Sequence, residues 1–159
     1  MTSAITEMIY TIAIVVAAAT VAGTYIQNTS QLNGALNVAS QNVMETAMTS
    51  IKTIFATELS DDVAEVWVKN VGTQSIDPLL IAQFDVFFGP EGNFEYIPYN
   101  RTSLPKWDFT IVSDNGNTDF DPGETLDIKI YLDYSLSEGD YYFRIVTYNG
   151  VGSEYSFSL

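Results

Sequence analysis

The chain has 159 residues, with 20 acidic and 6 basic side chains and a formal net charge of −14. That balance argues against a nucleic-acid partner, because a phosphate backbone needs a basic footprint. Cysteine and histidine are both absent, which removes disulfides, thiolate metal sites, the commonest general base and the side chain that switches charge near neutral pH.

Residues 5–57 contain no proline and only two glycines, Gly23 and Gly34, and nothing between Glu7 and Glu45 is charged. This predicts one long N-terminal helix over residues 1–57, ahead of a second domain over residues 58–159. Within the helix, residues 8–26 would span about 28 Å, close to the hydrocarbon thickness of a bilayer. The run holds the small residues Ala13, Ala17, Ala18, Ala19, Ala22 and Gly23 together with Thr11, Thr20 and Thr24. Lipid-facing anchors prefer larger apolar side chains, whereas small residues let helices approach each other closely. Three readings compete for this run. A cleaved secretory signal is disfavoured, since no Lys or Arg precedes the run. A plain membrane anchor needs only its length. A helix that enters the membrane and also assembles accounts for its small residues as well. The first basic residue is Lys52, so charge bias in the flanks does not orient a span.

Beyond the run, Leu32, Leu36, Ala39, Val43, Ala47, Ile51, Ile54 and Phe55 recur at spacings of three and four, an apolar helical stripe. Its last two turns are expected to dock on the following domain. Leu32 to Val43 lie too far along the chain for that and call for another helix, most simply a copy of this one.

From residue 58 the pattern changes to short β-branched and aromatic runs separated by turns. Residues 58–62 are expected to break the helix. Strands are expected at residues 63–69, 81–88, 94–99, 107–112, 125–133, 141–148 and 151–159, with residues 76–80 as an edge or connection because of Pro78. Leu126, Ile128, Ile130 and Leu132 alternate with Asp127, Lys129, Tyr131 and Asp133, as in a strand with one face buried. Asn149-Gly150 is a hairpin dipeptide. The predicted fold class is therefore α+β: a long N-terminal α-helix followed by an antiparallel β-sandwich. With no low-complexity linker between them, the two parts are expected to move as one body.

The densest polar cluster lies in residues 114–124. Asp114, Asn117, Asp119, Asp121 and Glu124 are spaced as oxygen ligands for a hard cation, and Ca2+ with a structural role is the candidate cofactor. The spacing is not that of an EF-hand, and a hydrated acidic turn is the alternative. Asn28-Thr29-Ser30 and Asn100-Arg101-Thr102 fit the N-glycosylation pattern. Asn100 falls in an expected surface loop, and Asn28 just past the apolar run. There is no phosphate-binding glycine loop and no nucleophile elbow, so no enzymatic activity is expected.

Residues 3–9, Ser-Ala-Ile-Thr-Glu-Met-Ile, followed by the Ala/Val run to Val21-Ala22-Gly23, resemble the archaeal type IV pilin-like proteins of the archaellum. The opening is most similar to the FlaG branch of the FlaF/FlaG accessory proteins; a filament subunit of the archaellin or pilin type is the other possibility. The likeness is close over about residues 3–25 and architectural beyond. It implies a place on the outer face of the membrane, beneath the surface layer. It also implies that Glu7 stands where pilin-type subunits carry the glutamate that meets a neighbour's N-terminus. The Lys/Arg-Gly leader of pilins is missing. The expected function is a non-enzymatic structural subunit of the archaellum or a related filament. It would assemble with itself or with pilin-like partners through Glu7, Ala18, Ala22, Gly23, Leu32, Leu36 and Val43. The alternative is a membrane-tethered stator or binding module that recognises a surface-layer protein or glycan.

Overall fold

The computed structural model describes residues 2–112 and 116–159. It has two compact units, Met1–Val43 and Met44–Leu159. The first is most of helix α1 (Thr2–Met48), 47 residues long, or about 70 Å at 1.5 Å per residue. The hydroxyls of Thr11, Thr20 and Thr29 each donate to the carbonyl four residues earlier, at 2.8–2.9 Å. Thr24 donates in the same way to Thr20 and Val21. These polar groups are thus satisfied inside the helix, as an apolar environment requires.

Among the described residues, the second unit holds eight strands in two antiparallel sheets. The first has the order β1-β2-β6-β5 and the second β4-β3-β7-β8. The strands are β1 (Ile51–Ser60), β2 (Val63–Asn70), β3 (Asp85–Pro90), β4 (Glu95–Ile97), β5 (Lys106–Val112), β6 (Thr125–Tyr131), β7 (Asp140–Val146) and β8 (Gly152–Ser158). A short helical turn, α2 (Pro78–Ile81), precedes β3, with Asp77 capping the Leu79 N–H at 2.7 Å. The fold class is α+β, as expected. The inward faces of the two sheets meet in one core. Ala64, Val66 and Val68 from β2, Leu126, Ile128 and Ile130 from β6, Val86 and Phe88 from β3, and Phe143 and Ile145 from β7 are all buried. On β6 the inward and outward residues are those the alternation predicts.

The helix is shorter than the sequence pattern predicts. It ends at Met48, and residues 51–60 form β1, paired with β2 from Ile51↔Asn70 to Ser60↔Val63. The register shifts between Thr53 and Phe55. This bulge breaks the two-residue alternation, so that Ile51, Ile54 and Phe55 fall at spacings of three and four without being helical. Ile51 enters the sandwich core, while Ile54 and Phe55 are 42 % and 44 % exposed. Residues 58–62 accordingly close a β1–β2 hairpin and do not end a helix.

Candidate assembly surfaces

The last turn of α1 belongs to the same compact unit as the sandwich, and its seating there is close. The Met48 carbonyl accepts from Thr73 N, and the Ser50 carbonyl accepts from Val71 N and Gly72 N, all at 2.9 Å. Thr49 Oγ1 donates to the Glu45 carbonyl at 2.8 Å and accepts from Asn149 Nδ2 at 2.8 Å. Buried Asn70 holds the loop underneath, donating to the Gln74 and Phe120 carbonyls at 2.9 Å and accepting from Gly72 N at 3.0 Å.

Along α1 the small residues open a shallow hollow lined by Ile14, Ala17, Ala18, Val21, Ala22 and Tyr25. Leu32, Leu36 and Val43 are all more than half exposed. Between Glu7 and Glu45 the helix therefore carries an uncharged, largely apolar surface long enough to cross a membrane, and the predicted assembly residues are exposed. Glu7 and Gly23 are exposed on it too.

In the acidic loop, Asp114 lies outside the described residues. Of the others, Asn117, Asp121 and Glu124 accept from backbone or side-chain donors. Asn117 Oδ1 accepts from Asp119 N at 2.9 Å, and Asn117 Nδ2 donates to Asp121 Oδ2 at 2.8 Å. The other Asp121 oxygen accepts from the Ser75 hydroxyl. Glu124 is 7 % exposed and accepts from Asp121 N at 2.9 Å. Among the described residues, no group of three or more carboxylates stands together as a metal site.

A surface that sequence reasoning missed lies on the outer face of the first sheet. The ring of Phe55 meets Trp67 edge-on at 5.7 Å, and Trp67 is 38 % exposed. Lys52 stands directly opposite Lys69. Farther along the same face, Lys129 pairs with Asp127 at 3.8 Å, and Lys106 sits over the Tyr131 ring at 5.3 Å. Burial, reinforced by the nearby Glu65 carboxylate, raises the Asp127 carboxyl above its ordinary value, against a smaller lowering by Lys129. The available signal was the aromatic pair Phe55 and Trp67, which face each other across the β1–β2 hairpin; reading residues 51–57 as helix hid it.

The family model of archaeal-type flagellin matches residues 2–157, which takes in α1 and the sandwich together. The chain belongs to the archaeal-type flagellin family. An uncharacterized protein of Archaeoglobus fulgidus is 30% identical over 125 residues, 75% of each chain. Among solved structures, the chain is similar to the archaellum periplasmic stator protein FlaG from Sulfolobus acidocaldarius. That likeness has a TM-score of 0.60 and 32% identity, covering 69% of this chain and 99% of that one. The chain of a second structure, the stator protein complex FlaF and FlaG from the same organism, is similar at 31% identity and a TM-score of 0.59, over 67% and 87%. The likeness to FlaG stated from the opening residues is thereby supported by structure.

The two glycosylation motifs lie in different units, Asn100 on the sandwich and Asn28 on α1 just past the apolar run. Asn100 is exposed in the turn before β5, with a positive φ of 39°, and Asn28 is exposed on α1.

Proposed function

We propose that this archaeal-type flagellin family member is a non-enzymatic, membrane-anchored component of the archaellum's stator. In this reading α1 holds the chain in the membrane and the sandwich stands outside it, engaging a second pilin-like subunit. The observation that carries the reading is the 32% identity and TM-score of 0.60 to the FlaG stator protein, nearly all of whose length is matched. The similar chain solved in a FlaF and FlaG complex supports a heterotypic partner. The uncharged run of residues 8–26 in α1 has the length and composition of a span, and its small-residue hollow suits a neighbouring helix. A surface-layer protein or glycan is a further partner within this proposal, as is glycan attachment at Asn100.

A filament subunit is the second reading. It is favoured by the family match, which spans the helix as well as the sandwich. Both readings are tested by shearing cells and following the full-length chain. A stator component stays with the membrane fraction and is absent from purified filaments. Recovery of the chain as the repeating subunit of sheared filaments would overturn the stator reading in favour of the second.

A further inference from the structure

We infer that the helix-proximal half of the first sheet's outer face, built from Lys52, Ile54, Phe55, Trp67 and Lys69, is the docking surface for a partner protein that presents carboxylates around an apolar centre. The inference rests on the stator reading above and names the surface through which the sandwich would engage its partner.

Charge placement carries it. The chain has a net charge of −14 and only six basic residues, yet four of them, Lys52, Lys69, Lys106 and Lys129, stand on this one face. The pairings Lys52↔Lys69, Glu65↔Lys129 and Lys106↔Tyr131 put them there. Lys129 and Lys106 are engaged internally, by Asp127 and the Tyr131 ring. Arg144, on the other sheet, pairs with Glu154 at 3.4 Å. Lys52 and Lys69 make no ion pair among the described residues. They are like charges directly opposite each other on adjacent strands, an arrangement that costs stability and that an anionic partner relieves.

The bulge in β1 supplies the apolar part. Without it, Phe55 would follow Lys52 onto the opposite face. With the register shift after Thr53, Lys52 and Phe55 share the outer face, and Ile54 is left exposed beside them. The Phe55–Trp67 pair forms a rigid aromatic centre, flanked by the two lysines on the side toward the start of β1. An aromatic centre with charges at its rim is the anatomy of a protein–protein contact. A polyanionic glycan would call for an extended basic track, which this compact pair does not make.

The test uses the full-length chain in detergent micelles, with the purified FlaF-type protein from the same source as probe. Binding is followed by interferometry. The wild-type chain is expected to bind, more weakly as NaCl rises from about 0.05 to about 0.5 M. The double variant K52E/K69E and the single variant Trp67→Ser should each bind at least about tenfold more weakly. Lys106→Glu, on the same face but at its far edge strand, should bind as the wild type does. Near-wild-type binding by both K52E/K69E and Trp67→Ser overturns this surface and leaves the stator reading standing. No binding by the wild-type chain overturns both. The same variants are run for self-association by sedimentation velocity and for binding to polygalacturonate. If K52E/K69E abolishes either of those while sparing the FlaF-type contact, the occupant is a second copy or an anionic glycan, and the protein partner is overturned.

Discussion

Gly72 carries no side chain at the point where the end of α1 meets the sandwich. A β-carbon there would stand 2.4 Å from the Met48 carbonyl oxygen and 2.6 Å from the Ser50 nitrogen. Both are backbone atoms of a segment whose Met48 and Ser50 carbonyls are held by hydrogen bonds from Thr73, Val71 and Gly72, so it does not give way easily. Gly72→Ala should therefore destabilise the sandwich by roughly 1–3 kcal/mol, read as a lower midpoint in urea. An unchanged midpoint would show that the junction is looser than the hydrogen bonds indicate. Asp127 responds to pH in the opposite sense to most carboxylates. Its carboxyl is raised above 3.8, first by burial and then by Glu65, so the native state holds the proton more tightly than the unfolded chain does. Its favourable contribution is present below about pH 3.8 and is lost as pH rises through the higher folded-state value. Asp127→Asn should then melt at a higher temperature than the wild type at pH 7, with the gap closing toward pH 3. A gap that stays constant across that range would contradict the assignment.

The instructive elements are α1 and β1. Up to Met48 the helix was legible, because a long stretch without proline or charge has few other ways to be satisfied. Ala18 stands near the middle of its uncharged run. Ala18→Arg should cost about 2.5–3.5 kcal/mol if that run lies in a bilayer, and should close the small-residue hollow. The variant is expected to leave the membrane fraction while the β-sheet circular dichroism of the sandwich is unchanged; full membrane retention would argue against a span centred there. The boundary with β1 was not legible. Ile51, Ile54 and Phe55 have helical spacing in the sequence, and only pairing with β2 reveals that the spacing comes from a bulge. A local pattern of three or four residues does not distinguish a helix turn from a strand with one extra residue. That one misreading also concealed the Phe55–Trp67 surface.

Across the whole molecule, acid is concentrated in one part. Of the 20 acidic residues only Glu7 and Glu45 precede residue 52, so a soluble, self-repelling sandwich is joined to a helix that carries only those two charges. The unit from Met44 to Leu159 has its own core, and a fragment covering it should fold alone with a single cooperative melt. Asn117, Asp121 and Glu124 turn their oxygens toward donors within the protein. That fragment is therefore expected to melt at the same temperature with calcium as with a chelator. A rise with calcium would instead establish a bound cation, through its preference for the folded state.

Much of this protein was determined by the sequence alone. Hydrophobic periodicity and charge depletion act locally, so they specified a long N-terminal helix, a following antiparallel sandwich and the inward face of β6. The opening residues carried the likeness to FlaG. Tertiary structure decided what depends on partners distant in the chain: where α1 stops, which strands are neighbours, and how Lys52 comes to face Lys69. The sequence separates those two lysines by a turn and most of two strands. Strand pairing brings them together, because register is set by the fit of two faces against a shared core.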